Sequence, residues 1–426
     1  MAEAPVVVVG AGLAGLACAR ELALRRIPVR VLEREDAVGG RVRTDEVDGF
    51  LLDRGFQVFL TAYPEARRVL DYDALALRRL YPGALIFRGG KLHRLADPWR
   101  KPVDAAMTLV NPIGTVADKA RFFEWRHKVM ASSIEEIFSR PQKRSEDYLK
   151  DRGFSDPFIN AFMKPFFGGV FQERALDTSS RMLEFMLRMF AEGEAAVPAE
   201  GMQRIPEQLA EQLPDGTIQL ATEVARLWEG GVELVGGEVV PARAVVVATD
   251  GTRACELLND AIPSPIWRGT NCLYFATSEP PVKGAFLVLD ADRDGPLNQM
   301  IVMSEVSPAY APPGQALVSA TIIGMERGLG QVRTVMEQLS RWFGRSVESW
   351  RHLRTYDISE GLPWMNTEFM EQPQKSVRVR DGLYVCGDHR EHGSIQGALS
   401  SGHRAAEAVW MDLVRPRYEI PQLQHP

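Results

Sequence analysis

Three glycines, Gly10, Gly12 and Gly15, stand between the apolar run Val6–Val9 and a helix-forming stretch that extends to Arg26. A second apolar run, Val29–Leu32, follows and ends on Glu33 and Arg34. Strand, G-x-G-x-x-G, helix, strand and terminal acid in this order make a dinucleotide-binding unit, with the acid about 20 residues after the loop. Gly10 permits the tight turn, Gly12 lets the backbone approach a pyrophosphate, and Gly15 lets the helix press on the sheet. Leu13 and Ala14 open the helix, so its unpaired N–H groups and partial positive charge face the phosphates. Glu33 can accept a hydrogen bond from a ribose hydroxyl, whereas a 2′-phosphate would meet a like charge there. The unit therefore takes FAD or NAD, and the loop alone does not choose between them.

The next residues do choose. Gly39-Gly40-Arg41-Val42-Arg43-Thr44 and then Gly49-Phe50-Leu51-Leu52-Asp53-Arg54-Gly55 resemble the FAD-binding N-terminus of the superfamily of flavin amine oxidases, protoporphyrinogen oxidases and phytoene desaturases. The resemblance implies that Gly39, Gly40 and Arg41 lie along the FAD diphosphate. The Arg41 guanidinium offers a fork of donors suited to phosphate oxygens. It further implies that Gly55 approaches the flavin ring, with Phe56 and Gln57 lining the reaction face. Without the resemblance, the same residues suit an ordinary nucleotide-binding α/β unit with a glycine turn after its second strand.

A second cluster lies near the far end of the chain. Gly382-Leu383-Tyr384-Val385-Cys386-Gly387-Asp388 reads as a strand, followed by a loop with His389 and His392 and a small-residue helix from about Ser394. This succession resembles the second flavin motif of the same superfamily. By that resemblance Asp388, after Gly387, holds a ribityl hydroxyl or a phosphate. Ser394, Ile395, Gln396 and Ala398 would bring the helix N-terminus to the flavin pyrimidine edge, where the helix dipole favours negative charge. The plain reading is a glycine-rich turn closing an α/β sheet, with Asp388 as a cap. No set of ligands surrounds the two histidines, so no metal site is expected.

These motifs sit far apart, so the expected fold is α/β with a discontinuous Rossmann-like FAD-binding domain. Residues 1–60, 198–255 and 356–414 would form it; 61–197 and 256–355 would form an inserted α+β substrate domain, with 415–426 a tail. Between them, Pro198-x-x-Gly201-Met202 leads to an expected helix, Glu207 to Leu213, and expected strands at Ile218 to Val224, Gly231 to Leu234 and Ala244 to Thr249. The resemblance implies that Val224 contacts the adenine through its backbone; plain strand core is the other reading.

With 426 residues the chain has room for two domains, and 50 basic against 56 acidic side chains argue against nucleic acid as partner. Four scattered cysteines flanked by apolar residues suit reduced, buried thiols. No apolar run reaches the ~18 residues that cross a bilayer, and the first strand begins at once, which leaves no room for a signal peptide. The expectation is a soluble, cytoplasmic enzyme. One stretch suits a peripheral membrane contact: residues 115–130 carry Lys119, Arg121, Phe122, Phe123, Trp125, Arg126 and Lys128. The same pattern also suits a solvated helix with a buried aromatic face, because Asp118 and Glu124 interrupt the cations.

The inserted segments are rich in soft apolar side chains. Phe158, Phe162, Phe166, Phe167 and Phe171 cluster, and Met182, Phe185, Met186 and Met189 recur at helical spacing. Helix core explains any one of them; together, Lys164 to Phe171 looks more like the desaturase branch than the amine-oxidase branch. Amine oxidases of this group place a lysine at the start of a substrate-domain strand, and the comparable Gly269 to Phe275 has none. No cysteine stands between Cys272 and Cys386 for a covalent flavin link, so FAD is expected to be non-covalent. The expected function is removal of hydride from a C–C or C–N bond of a lipophilic, polyene- or isoprenoid-like small molecule, with Trp364 as a candidate aromatic wall and no catalytic acid or base assigned. No second glycine fingerprint is placed for NAD(P)H, Gly328-Leu329-Gly330 failing the spacing, so electrons pass to oxygen, a quinone or another carrier. Amine or protoporphyrinogen-type oxidation, a redox-neutral flavin isomerase, and a lipid carrier like the dissociation inhibitors of prenylated GTPases stand as alternatives.

Overall fold

Val6–Val9 is wholly buried because it runs through the middle of a sheet, hydrogen-bonded on both sides in parallel register, Val7 facing Arg30 on one flank and Val245 on the other. The computed structural model describes residues 4–101, 103, 108, 111–324 and 332–414; the tail at 415–426 and Gly328-Leu329-Gly330 lie outside them. This first sheet has six strands in the order Ile218–Gln219, Val29–Leu32, Val6–Val9, Ala244–Val247, Leu383–Val385 and Arg378–Arg380. Five are parallel and the last is an antiparallel edge. A parallel sheet is covered on both faces, which is why the strands read as unbroken valine runs rather than alternating ones. The helix Leu13–Leu24 and the last helix, Ile395–Val414, pack side by side. They approach so closely that a Cβ on Gly402 would lie 2.2 Å from the Ala14 carbonyl oxygen. Helices from the first and last described parts of the chain thus meet in one layer.

A seven-stranded sheet forms the second unit, in the order Arg351–Pro363, Trp267–Thr277, Ala316–Ile323, Leu297–Val302, Leu287–Asp290, Gly83–Arg88 and Lys91–Ala96. All neighbours are antiparallel except Leu287–Asp290 with Gly83–Arg88. One face packs Leu273, Phe275 and Val318 under Val335, Leu339 and Trp342 of the helix Val332–Phe343. Side chains alternate along a strand, so the other face turns Thr270 and Gln299 toward a cavity between the units. The strand Arg351–Pro363 runs straight through the expected division at residue 356.

Several expected elements shift. Ile218 to Val224 is not one strand: Ile218–Gln219 ends the parallel sheet, and Val224–Trp228 begins a separate antiparallel sheet with Gly231–Leu234 and Val239–Pro241. Ala221, with φ +50°, turns the chain between them. The helix expected from Glu207 to Leu213 spans Arg204–Ala210, because Pro206 lies in its first turn, where a missing N–H costs nothing. The helix Val116–Met130 does form, opened by a capping box between Thr115 and Asp118. Its aromatic residues turn inward. Trp125 is fully buried and donates from Nε1 to Glu184 Oε1 at 3.2 Å, and Phe122 and Phe123 are half-buried against Phe162 and Trp99. The exposed face keeps Arg121 and the Glu124–Lys128 pair, with no aromatic anchor, so the membrane reading of this helix loses its main support. No helix among the described residues is long and apolar enough to cross a membrane.

The Gly201-Met202 turn has a structural role. Gly201, at φ +96°, sits so close to Thr44 that a Cβ would meet its Oγ1 at 2.6 Å. The Met202 N–H donates to Asp53 Oδ1 at 2.9 Å, beside Thr44 Oγ1 at 2.6 Å, and Tyr310 donates to Asp53 Oδ2 at 2.8 Å. Three donors hold a fully buried carboxylate, and its burial still raises its pKa to about 6. Asp53 thereby ties the hairpin Thr44–Asp53 to both units.

Candidate functional site

A single cavity of about 1580 Å³ runs between the two sheets, larger than the roughly 300–1,000 Å³ of ordinary small-molecule sites. Its volume suits a dinucleotide together with a second molecule. At one end lie Gly10, Gly12, Leu13 and Ala14, with Glu33 and Arg34 beyond the second strand and Gly39, Gly40 and Arg41 opposite. Each glycine of the loop is demanded by something different. Gly10, at φ +107°, takes a conformation other residues rarely adopt. A Cβ on Gly15 would lie 2.0 Å from the Gly10 carbonyl oxygen, so it is the helix–turn contact that excludes a side chain; Gly15 itself stands behind the cavity wall. Gly12 has an ordinary φ of −72°, and a Cβ there would meet nothing within 4 Å. Nothing within the protein requires glycine at that position. The open space leaves the backbone there accessible to a bound molecule.

The surrounding polar groups fit that molecule being FAD. No side chain caps the helix Leu13–Leu24, so its first N–H groups are left to a diphosphate. Glu33, buried at the end of its strand, accepts from Ala11 N at 2.6 Å through Oε2 and from Glu35 N at 3.0 Å through Oε1. Each oxygen keeps a further lone pair for a ribose hydroxyl. Val224 lines the same end, its carbonyl taking Arg253 Nη2 at 3.0 Å. Arg41 and Asp388, 347 residues apart, are joined directly: Arg41 Nη2 donates to Asp388 Oδ1 at 2.6 Å and Nη1 to the Gly361 carbonyl at 2.8 Å. The guanidinium also lies over the Trp267 ring. Gly55, Phe56 and Gln57 continue the wall, with Gln57 Nε2 donating to the Arg41 carbonyl at 2.9 Å. Gly387, Asp388, Ser394, Ile395 and Ala398 close it from the other side. Ser394 Oγ caps the last helix by accepting from Gly397 N at 3.0 Å.

Two expected residues point elsewhere. Gln396 does not reach the cavity; its Oε1 accepts from Glu65 N at 2.9 Å and caps the helix Pro64–Val69, since a side chain two residues into a helix points away from its first turn's open side. Trp364 is not a wall either: its ring lies under the Arg268 guanidinium, 4.4 Å away. Other lining residues carry no sequence signal. Gln172, at φ +54° after a helix, presents a buried Oε1 with no hydrogen-bond partner, and Gln299 and Tyr63 line the wall from distant elements.

His389 and His392 lie behind the wall. Burial pushes both down to about 4. His389 has neither ring nitrogen partnered; His392 pairs with Ser394 Oγ at 2.9 Å and packs against Phe138 and Phe185. Both stay neutral when folded and would ionise near 6.5 when unfolded, so their contribution is present above pH 6.5 and lost as pH falls through 4. The loss is on the order of 3 kcal/mol for each. Thermal melting across that range should fall steeply for the native protein and less steeply for His392→Phe; equal slopes would remove His392 from the account.

One arm of the cavity is lined mainly by apolar side chains. Phe158, Phe162, Phe166, Phe167 and Phe171 all line it, and Phe158–Phe162, Phe162–Phe166 and Phe166–Phe190 pack in sequence with ring centroids 5.6, 5.6 and 5.1 Å apart. A π turn, Ile159–Met163, precedes Pro165 and absorbs the bond that proline cannot donate, so the helix continues to Phe171 and carries the aromatic row. The methionine stripe divides: Met182 and Met186 face the cavity, while Phe185 and Met189 are core. All four cysteines are free and buried, and none lines the cavity.

A model of the family described as flavin-containing amine oxidoreductase matches residues 13–410. The chain is similar to a coproporphyrinogen III oxidase of Propionibacterium freudenreichii, 25% identical over 61% of this chain and 59% of that protein. It is likewise similar to a zeta-carotene-forming phytoene desaturase of Myxococcus xanthus, 27% identical over 60% of this chain and 55% of that one. The chain thus matches less than two thirds of the length of either relative. Among solved structures, an oxidoreductase from Methanosarcina mazei superimposes with a TM-score of 0.75 at 17% identity, covering 95% of this chain and all of that one.

Proposed function

We propose, from the fact that this chain belongs to the flavin-containing amine oxidoreductase family, that its FAD-dependent chemistry is dehydrogenation of a long lipophilic substrate at a C–C bond. The observation that carries this reading is the continuity of the cavity: the cradle at Gly12 and Gly40 opens into the aromatic arm without an intervening wall. Bound FAD supplies the two-electron acceptor. The chain supplies placement. Gly12 and the uncapped helix hold the diphosphate, Arg41 and Asp388 fix the middle of the site, and the start of the last helix brings a partial positive charge to its far side. The arm of Phe162, Phe166, Phe167, Phe190 and Met186 holds an extended apolar body and keeps water from the reacting bond. The absence of a cavity-lining cysteine supports a non-covalent FAD. The cofactor unit is read as 1–60, 198–255 and, with the strand Arg351–Pro363 left to the second sheet, 364–414.

The purified protein, incubated with FAD, should be yellow. Under anaerobic conditions a polyene or isoprenoid should bleach the flavin band, and simple amines should not. A protein that stays colourless after reconstitution would favour a lipid carrier. Bleaching by amines alone would place the chain with the amine oxidases, and turnover without net bleaching would indicate an isomerase.

A further inference from the structure

The aromatic arm reaches the surface beside Trp99, which lines the cavity while 51% exposed. The apolar lining stops there, and five cations line this end of the cavity: Arg79, Arg100, Lys101, Lys119 and Arg126. Three carboxylates share the region. Glu194 pairs with Arg79 at 2.6 Å, and Glu192 with Arg188 and Arg67 at 3.4 and 3.5 Å. Asp97 alone faces the two central arginines, from 3.7 Å for Arg100 and 3.9 Å for Arg126. Both guanidiniums are held in place by backbone. Nη2 of each donates to the Ala191 carbonyl, at 3.0 and 3.2 Å, and Arg126 is stacked 4.2 Å over the Trp99 ring. Burial lowers the Arg126 pKa; Asp97 offsets part of that shift and outweighs the opposing charge of Arg100. Neither Nη1 has a partner among the described residues. Two guanidiniums fixed side by side, each with an unpartnered Nη1, can together donate to the two oxygens of one carboxylate or phosphate.

We propose that Arg100 and Arg126 form an anion subsite at the cavity mouth, which holds a carboxylate or phosphate at the end of a substrate whose apolar body fills the aromatic arm. The substrate is then an amphiphile and not a pure hydrocarbon. This rests on the reading of the arm as the substrate site. A plain polyene leaves the mouth arginines facing each other across one aspartate; an acidic end supplies the missing charge and sets which end of the molecule enters first.

Isothermal titration of the FAD-loaded protein with dodecanoate and 1-dodecanol, probes with the same tail length, tests it. Dodecanoate should bind about tenfold tighter or better, and the preference should shrink as salt rises. Arg100→Gln with Arg126→Gln should remove the preference and leave dodecanol binding and the flavin spectrum unchanged; Arg126→Lys should keep most of it. Melting curves and the flavin spectrum show whether the double variant is folded; should it not be, the single Arg100→Gln variant carries the same comparison. Equal binding of the two probes by native protein overturns the anion subsite alone, whereas binding of neither overturns the lipophilic arm as well. Sedimentation with phosphatidylglycerol-containing vesicles separates the other source of anions: arginine-dependent vesicle binding without a dodecanoate preference would assign these residues to a bilayer surface and overturn the proposal.

Discussion

Gly12→Ala should weaken FAD binding by a factor on the order of 10–100, equivalent to about 1–3 kcal/mol of overpacking, and leave the melting temperature of the FAD-free protein nearly unchanged. The separation follows from geometry: φ is −72°, and an added Cβ meets no atom within 4 Å until a ligand arrives. Gly15→Ala is the opposite case. Its Cβ would fall 2.0 Å from the Gly10 carbonyl oxygen and 3.2 Å from the Ala248 Cβ, so the helix must lift off the turn. That variant should lose about 3 kcal/mol or more of stability with or without cofactor. Flavin titration and melting of both FAD-free variants make the check. Native FAD affinity in Gly12→Ala, or a melting point as low as that of Gly15→Ala, would remove the cradle from this position.

Asp388→Ala should have the next largest effect, because it takes the carboxylate from Arg41 and leaves a charge held by one carbonyl, Gly361. Breaking one side of a fully buried pair costs about 3–5 kcal/mol; with the Arg41 side chain 38% exposed, about 2 kcal/mol is the better expectation. The purified variant should lose its flavin on gel filtration. Arg41→Met combined with Asp388→Ala should be less destabilised than the two single changes added together, by about 1–2 kcal/mol. Strict additivity would mean that the pair does not act as a unit.

These residues were legible from the chain because local backbone needs constrain them. A strand, a tight turn and a helix pressed on it leave few choices at Gly10 and Gly15, so their spacing survives in one dimension. Ile218 to Val224 was not legible as two strands, since only the turn at Ala221, set by the adjoining sheet, breaks an otherwise acceptable strand pattern. Phe122 and Trp125 suit a membrane anchor or, better, a buried aromatic face in the sequence, and Phe162 and Glu184 pack against them on the buried side. Gln396 and Trp364 failed for a similar reason: position in the chain placed them near the site, while side-chain direction, decided by packing, turned them away. Arg100 carries no motif, and Arg126 reads only as one cation of the 115–130 stretch. Their relation exists only in the fold, through the shared Ala191 carbonyl and through Asp97.

The bond between Arg41 and Asp388 also constrains how the protein can be made. A ribosome adding about 5–20 residues per second needs roughly 20–70 s to produce the 347 residues that separate the two. For that interval the glycine loop is outside the ribosome with no partner for its arginine and no far wall to hold a cofactor. The last helix, which packs on Ala14 through Gly402, is the final described element to emerge. FAD capture therefore waits for the closing motif to be made, and a truncation that removes this motif should forfeit the cofactor however intact the preceding residues remain.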